Sequence, residues 1–419
     1  MYYGMDLSER TVALARQAEA DCAAIFSHFE EVSMHCSARV LAAFQRHRVS
    51  TVDFLEVTGY GFYDGGREKL EALYADVFGA EDSLVRIQLM SGTHALAVAL
   101  GGLLKHGDTL LYVSGTPYDT LCSVIGLSGE SRNSLLAHGV KYEEIDLRDS
   151  EFDLDAIRAR LSRGGVRVAA IQRSRGYAHR KSLTVSQIEE AIRVIKECSP
   201  ETLVLVDNCY GEFTETREPT EVGADVLVGS MMKNLGSGFA LSGAYCVGTR
   251  EAIADIAERF SAPCIGKDLG ANLNQLTSFY KGIFMAPAAV CAALKTMAFA
   301  ARLFELAGYP DTDPRYDEKR TDIVQTIDLH SRERLVRFCR GIQRGGPIES
   351  YVDPEPGPMP GYPHEEIMAS GTFVTGATNE LSCDGPLCEP YTAYMQGALT
   401  YEYGKLGVMQ ALDFMEKEN

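Results

Sequence analysis

The sequence lacks several features that would assign it to common classes of protein. It has no excess of positive charge, because 40 Lys and Arg residues stand against 58 Asp and Glu residues, a net charge of −18. Such an acidic balance argues against nucleic acid or an anionic membrane as a partner. Residues 1–10 show no basic region followed by an apolar core, and no apolar run reaches membrane-spanning length. These absences predict a soluble, cytoplasmic protein.

The cysteines lack any regular spacing. There are eleven of them, and none forms a Cys-x-x-Cys pair. An odd number of scattered cysteines in a chain of this size favours reduced thiols over a framework of disulfides. The same scatter gives no indication of a zinc site, so we expect no bound metal.

What the chain does contain is a long alternation of strands and helices. Apolar β-rich runs at residues 166–172, 202–206 and 224–229 are separated by segments of helical periodicity, such as 184–197. Strands separated by helices indicate crossover connections, and therefore an α/β fold with a mostly parallel sheet and helices on both faces.

The 419 residues are enough for two domains and more. We predict an N-terminal helical arm over 1–58 and a large domain over 59–290. A smaller α+β domain over 291–419 contains proline-rich turns, and a long alanine-rich helix over 287–306 links the two.

Two charged residues are each predicted at the carboxyl end of a buried strand. Asp207 follows the run at 202–206, and Lys233 follows the run at 224–229 and precedes a glycine-rich loop. Pyridoxal phosphate needs both groups, a lysine for its aldehyde and a carboxylate for its ring nitrogen. Burial is expected to lower the pKa of Lys233 and make it nucleophilic. Alone, each residue also fits an ordinary role, Lys233 as a lysine reaching solvent and Asp207 as a turn or capping residue.

Motifs spread along most of the chain, in order, carry a family resemblance. They are Gly59-Tyr60-Gly61-Phe62-Tyr63-Asp64, Ser91-Gly92-Thr93-His94-Ala95, Ile171-Gln172-Arg173-Ser174-Arg175-Gly176-Tyr177, Leu205-Val206-Asp207-Asn208, Gly229-Ser230-Met231-Met232-Lys233-Asn234, Pro314-Arg315-Tyr316-Asp317, Met359-Pro360-Gly361-Tyr362 and Glu389-Pro390-Tyr391. The chain resembles the Cys/Met-metabolism branch of fold-type-I pyridoxal-phosphate enzymes. Within that branch it is most similar to the methionine γ-lyase-like group, which often bears the label of aluminium-resistance proteins.

The resemblance implies a phosphate site at the turn Ser91-Gly92-Thr93. Small residues where a strand passes into a helix let backbone N–H groups point at a phosphate, although a serine there is also an ordinary N-cap. In the family, Ser230 binds the same phosphate.

The resemblance also assigns roles to tyrosines. Tyr118 matches the aromatic residue that stacks on the cofactor ring, with Tyr112 as the alternative. Tyr60 matches a tyrosine that, in the family, comes from the neighbouring subunit and completes the phosphate site. Tyr63 is a candidate for substrate contact. A homodimer or homotetramer with shared sites is therefore expected, and surface tyrosines in a glycine-rich loop are the plainer alternative.

Arginines at the end of the predicted strand 166–172 are candidates for binding anions. Arg173 and Arg175 are placed to hold a substrate carboxylate, with Ser174 as a cofactor contact, while solvated arginines remain the alternative. The family often carries an arginine before Glu-Pro-Tyr, where this chain has Cys388. A thiol does not replace a guanidinium fork, so the residue that binds the substrate carboxylate is open.

The resemblance implies a carbon–sulfur lyase that performs β- or γ-elimination on a small amino acid such as methionine, cystathionine or cysteine. Lys233 serves as the general base, and Tyr118 protonates the leaving sulfur. Replacement, racemisation and transamination use the same groups and stay open. A non-catalytic stress protein that has kept the fold is the alternative from another class.

Overall fold

The computed structural model of the chain describes residues 2–60, 64–359 and 364–417. It consists of two compact units, Ser37–Phe284 and a discontinuous unit of Met1–Cys36 with Met285–Asn419. The sequence predicts one arm over 1–58, whereas in the structure the helical segment up to Cys36 belongs with the C-terminal part of the chain.

The helices are α1 (Glu9–Asp21), α2 (Ala23–Arg46), α3 (Gly65–Val77), α4 (Gly92–Leu103), α5 (Asp119–Ile125), α6 (Leu154–Leu161), α7 (Val185–Cys198), α8 (Arg250–Phe260), α9 (Leu276–Ala307), α10 (Arg332–Gly345) and α11 (Tyr401–Glu416). The strands are β1 (Asp82–Arg86), β2 (Thr109–Tyr112), β3 (Lys141–Glu144), β4 (Val166–Gln172), β5 (Leu203–Asp207), β6 (Val226–Ser230), β7 (Ala244–Gly248), β8 (Thr312–Asp313), β9 (Val324–Asp328), β10 (Gly357–Pro358), β11 (Glu365–Ser370), β12 (Ser382–Pro386) and β13 (Thr392–Gln396).

The unit Ser37–Phe284 is built on a seven-stranded sheet in the order β1-β7-β6-β5-β4-β2-β3. Strands β6, β5, β4, β2 and β3 run parallel, and β7 is antiparallel to both of its neighbours. Successive residues of β5 and β6, such as Val204 to Val206, have no exposed surface. Both faces of the sheet are therefore covered, which requires the continuous apolar runs seen in the sequence. The predicted α/β fold with a mostly parallel sheet is confirmed.

The parallel strands place three polar residues at one edge of the sheet. In the register of β4 and β5, Gln172 pairs with Asp207, and Asp207 pairs in turn with Val228 of β6. Ser230 ends β6 two residues later. The ligands of open parallel sheets bind outside these carboxyl ends.

The other unit contains a six-stranded antiparallel sheet in the order β10-β11-β12-β13-β9-β8. Helix α10 packs against β11, β12 and β13 and against α11. The first helix is held to the last one, because Asp413 accepts hydrogen bonds from the Ser8 backbone at 2.9 Å and from the Thr11 hydroxyl at 3.1 Å. The predicted smaller α+β domain is thereby confirmed as a class of fold.

One prediction about apolar runs is wrong. Helix α9 begins at Leu276, well before the predicted start at 287, and is long and apolar enough to cross a membrane by length and composition. However, 72% of its most apolar window is buried inside the protein, as in the core helix of a soluble protein. Lys281 and Lys295 divide the helix into shorter apolar runs, so no single uninterrupted run in the sequence has the length of the helix.

Candidate functional site

Asp207 and Lys233 lie at the ends of adjacent parallel strands. Asp207 is the last residue of β5 and is only 4% exposed. Its Oδ1 atom accepts a hydrogen bond from the Cys209 backbone N–H at 3.1 Å. Burial raises the pKa of Asp207, and the positive charge of Lys233 opposes that rise. The carboxylate of Asp207 and the amine of Lys233 are therefore close enough for each charge to affect the pKa of the other group.

Lys233 follows β6 and precedes a 3-10 helix, Asn234–Gly236. Burial lowers the pKa of its amine, but the acidic groups of Cys209, Tyr210 and Asp207 raise it by more, so that the pKa lies well above its usual value. The lowered pKa expected from burial alone is wrong, because the groups around the amine favour its charged form.

The turn before α4 approaches both of these strand ends. Ser91 is the N-cap of α4, and its hydroxyl accepts a hydrogen bond from the His94 backbone at 3.1 Å. A Cβ atom added to Gly92 would lie 3.3 Å from the Cys209 Sγ atom and 3.4 Å from the Ser230 Cβ atom. Gly92 thus keeps a narrow space open between the helix N-terminus and the ends of β5 and β6. An anion fits such a space, since the first backbone N–H groups of a helix point outward there.

Tyr118 borders the same space. Its hydroxyl and that of Thr93 are 2.9 Å apart, and its backbone N–H donates to the Gln172 Oε1 atom at 2.9 Å. Burial raises the pKa of Tyr118, and the charge of Asp207 raises it further. The alternative, Tyr112, is fully buried within β2 and belongs to the hydrophobic core. Of the two tyrosines, Tyr118 is the one the structure brings to Thr93.

Arg173 is fully buried and its guanidinium group bonds to its own chain. One terminal nitrogen donates to the Asn208 side chain at 2.8 Å and to the Gly211 carbonyl at 2.9 Å, and the other donates to Glu215 at 2.8 Å. Glu218 lies 3.6 Å from the same guanidinium group. This arrangement does not present the fork of Arg173 to a substrate carboxylate, because its donors already serve the loop after β5.

The neighbouring candidates are buried as well. Ser174 is 5% exposed, and its carbonyl accepts hydrogen bonds from Gln172 at 3.0 Å and from Arg180 at 2.8 Å. Arg175 is 2% exposed, and its backbone N–H donates to the Ser182 hydroxyl at 3.0 Å. The described geometry puts both in the segment after β4.

Three further candidates remain, Tyr60, Tyr63 and Cys388. Tyr60 is 83% exposed, and Tyr63 lies outside the described residues. Cys388 lies in the turn between β12 and β13, where its carbonyl accepts a hydrogen bond from the Tyr391 backbone at 2.7 Å. Burial raises the pKa of the Cys388 thiol.

Sequence reasoning missed Tyr210, whose ring centroid lies 4.0 Å from the Nζ atom of Lys233. A signal for it was present: Tyr210 comes three residues after Asp207 and directly before a glycine. Residues that follow the carboxyl end of a buried parallel strand reach the ligand side of the sheet. The whole run after Asp207, including Tyr210, is therefore expected to lie near a ligand.

The residues present suit pyridoxal phosphate. The buried carboxylate of Asp207 matches a protonated ring nitrogen, and Lys233 offers an amine in the loop that follows the next strand, β6. The space kept open by Gly92 lies at a helix N-terminus, which suits a phosphate dianion. Together, an α/β fold with a lysine and an aspartate at adjoining strand ends defines a candidate cofactor-binding protein of the fold-type-I class.

Comparison with known proteins gives the family. The sequence model of methionine gamma-lyase matches residues 11–416, and the chain belongs to that family. YnbB, an uncharacterized protein of Bacillus subtilis (strain 168), is 46% identical over 407 residues, which cover 96% of each chain.

Solved structures agree with this family. A carbon–sulfur lyase involved in aluminium resistance from Clostridium novyi NT is 40% identical, with a TM-score of 0.93 over 97% of this chain and 96% of that one. YhfS from Escherichia coli, a protein described as dependent on pyridoxal-5'-phosphate, is 18% identical with a TM-score of 0.61 over 92% of this chain and 96% of that one. The likeness to YhfS shows a shared fold. The predicted family is confirmed.

Proposed function

We propose that the protein is a cytoplasmic carbon–sulfur lyase that depends on pyridoxal phosphate and acts on a sulfur-containing amino acid. The observation that carries this proposal is the interaction of Asp207 with Lys233 at the ends of β5 and β6, beside the helix N-terminus that Gly92 keeps accessible. The carbon–sulfur lyase from Clostridium novyi NT, similar over nearly the whole length of both chains, supports the same class of reaction.

Pyridoxal phosphate supplies an aldehyde that binds the amino group of a substrate and a ring that withdraws electrons from its Cα atom. The carboxylate of Asp207 would keep the proton on the ring nitrogen. Ser91, Thr93 and Ser230, with the backbone N–H groups at the start of α4, would hold the phosphate, and Tyr118 would orient the ring.

Lys233 is the residue that moves the proton. Its amine, once neutral, takes the proton from the substrate Cα atom as a general base. Tyr118 protonates the sulfur atom as its bond to Cβ or Cγ breaks. The raised pKa of Tyr118 keeps the phenol protonated until that step. Loss of the thiol leaves an enamine, which water hydrolyses, so that the products are a thiol, a keto acid and ammonia.

Arg175 is the candidate for the substrate carboxylate. Arg173, the other arginine after β4, uses its guanidinium group within the loop. The family's usual arginine before Glu-Pro-Tyr is Cys388 in this chain. An Arg175→Lys variant that raises the KM and leaves kcat unchanged would support this role, since lysine keeps the charge and loses the bidentate fork.

The test of the reaction uses purified protein with added pyridoxal phosphate. We expect a visible absorption band of the bound cofactor and release of both keto acid and thiol from methionine, cystathionine or cysteine. Lys233→Ala should abolish the band and all turnover. A protein that binds the cofactor but releases only an isomer or an amine-transfer product would instead support racemisation or transamination. Absence of the band in the unaltered protein would favour a non-catalytic role.

We propose further that the protein is a homodimer or homotetramer in which Tyr60 completes the site of a neighbouring copy. Tyr60 is 83% exposed, yet the loop before it is fixed: Gly59 has a φ of 65°, and a Cβ atom there would lie 2.2 Å from the Gly270 carbonyl oxygen. Two exposed apolar residues suit contact with a second copy: Leu55 precedes Tyr60 in the chain, and Leu273 follows Leu269, which forms a β-bridge with Tyr60.

Mixing two inactive variants tests the shared site. Lys233→Ala and Tyr60→Ala, each inactive or weak alone, should recover activity when mixed under exchange conditions, because a mixed dimer contains one site with both intact residues. Light scattering gives the number of copies. No recovery, from variants shown to exchange subunits, would argue that Tyr60 acts within its own chain or not at all.

A further inference from the structure

Tyr210 has an unusual backbone and an unusual neighbour. Its φ of 71° lies in the left-handed region, which non-glycine residues seldom adopt, and its ring centroid is 4.0 Å from the Lys233 Nζ atom. The face of an aromatic ring attracts an ammonium ion, most strongly where water is excluded. A residue held in such a conformation persists only when its surroundings impose it.

Arg173 holds the loop that imposes this conformation on Tyr210. The guanidinium group donates to the side chain of Asn208 at 2.8 Å and to the carbonyl of Gly211 at 2.9 Å, on either side of Tyr210. Gly211 is required by this close approach, because a Cβ atom there would lie 2.6 Å from the Arg173 Cδ atom. Thus the two ends of the short segment that carries Tyr210 are bonded to one side chain.

Glu218 closes the same loop at its far end. It has no exposed surface, and its carboxylate accepts hydrogen bonds from the Asn208 side chain at 3.0 Å and from the Phe213 backbone at 2.9 Å. Burial raises the pKa of Glu218, while the charge of Arg173, 3.6 Å away, lowers it. Phe213 also has a positive φ, 60°. Two strained backbone positions are therefore held by one buried ion pair.

We infer that Tyr210 is a positioning residue that holds the amine of Lys233 against its ring, and that Arg173 with Glu218 is the clamp that holds Tyr210. The contact itself requires no ligand. Its importance for turnover rests on the proposed function, in which the direction of the Lys233 amine decides where a proton is taken up. Asp207, Cys209 and Tyr118 face the same amine and set its charge together with the ring.

The ring can be tested on the full chain without cofactor. Trace acetylation with acetic anhydride over a range of pH, read by mass spectrometry of the peptide that contains Lys233, gives the pKa of that amine. We expect Tyr210→Leu to lower the pKa, with about tenfold more neutral amine at a given pH below it. Tyr210→Phe keeps the ring and loses only the phenol, so it should lower the pKa of Lys233 less than Tyr210→Leu does. A Tyr210→Leu protein with an unchanged pKa would overturn the inference.

The clamp has a matched control in the same unit. Arg173→Lys should shift the pKa of Lys233 in the same direction as Tyr210→Leu, because lysine has no fork to bond Asn208 and Gly211 together. Arg86→Lys alters another fully buried arginine, the partner of Glu71, and should leave the pKa of Lys233 unchanged. Equal shifts of the Lys233 pKa in Arg173→Lys and Arg86→Lys would mean that a general loss of stability causes the shift, and would overturn the role of the clamp.

The outcomes separate this inference from the proposed function. A protein that binds no pyridoxal phosphate but shows the shift in Tyr210→Leu keeps the inference and loses the lyase. A protein that binds the cofactor with the same affinity and rate in Tyr210→Leu, and shows no shift, keeps the lyase and loses the inference. If Arg173→Lys does not fold, the Tyr210 pair of variants still decides the matter.

Discussion

Asp207 and Arg173 occupy corresponding places in the fold but differ in what they bond. Asp207 ends β5, and Arg173 follows directly after β4, the neighbouring parallel strand. Both are buried and both are ionisable. The donors of Arg173 bond the loop after β5, whereas the carboxylate of Asp207 lies close enough to Lys233 for the lysine charge to lower its pKa. A charge at the end of a parallel strand is therefore a candidate for ligand binding only until its hydrogen bonds are known.

The largest expected effect concerns Asp207, the member of this pair that is proposed to contact a ligand. Asp207→Asn removes the negative charge that holds a proton on the cofactor ring, and turnover should fall by about 100- to 1,000-fold. The midpoint of urea unfolding should stay the same or rise, because a neutral amide loses less solvation than a buried carboxylate. Steady-state kinetics and urea titration check the two halves. An Asp207→Asn enzyme with near-normal rates would show that another carboxylate faces the ring.

The second effect concerns the clamp side. Arg173→Met leaves Glu218 buried with Arg39, 3.9 Å away, as its remaining guanidinium partner, and we expect the free energy of unfolding to fall by about 3 kcal/mol. Arg86→Met should cost a similar amount through Glu71. The two differ in cofactor binding, which only Arg173→Met should weaken, since only that arginine bonds the loop of Tyr210. Urea unfolding and cofactor titration measure both. Equal loss of binding in the two variants would contradict the distinction.

Much of this architecture follows from local sequence. The runs of β5 and β6 are continuous apolar stretches, and the polar residues that follow them mark where each strand ends, so that Asp207 and Lys233 could be placed at one edge of a sheet. The roles of Arg173 and Tyr210 could not be predicted in the same way. They depend on a loop in which Asn208, Gly211 and Glu218 converge on one guanidinium group, a contact between strands that no spacing along the chain reveals.

A smaller effect concerns a further buried acid, Glu212, which belongs to the same loop. Tyr245 donates a hydrogen bond to its Oε1 atom at 2.8 Å, while its Oε2 atom has no partner among the described residues. Burial raises the pKa of Glu212 from 4.5 to about 8. The folded chain therefore keeps a proton there that the unfolded chain releases, so stability falls as pH rises between those values.

Glu212→Gln removes that dependence and leaves a neutral acceptor for Tyr245. The unaltered protein should lose about 1 kcal/mol per pH unit more than the variant between pH 4.5 and 8. Urea midpoints at several pH values measure the difference. Parallel curves for the two proteins would mean that Glu212 is ionised in the folded state, and that Lys233 and Tyr245 suffice to stabilise its charge.

The smallest effect concerns Ser91, where phosphate binding and helix capping can be measured separately. Ser91 caps α4 and also lies where the phosphate is proposed to bind. Ser91→Ala should cost about 1 kcal/mol of stability through the lost cap and should also weaken binding of pyridoxal phosphate. Ser91→Asp restores a cap but places a negative charge beside the phosphate, so it should recover stability without recovering affinity. Urea unfolding and cofactor titration give the two quantities. If Ser91→Asp binds the cofactor as tightly as serine does, the phosphate lies elsewhere and Ser91 is only a cap.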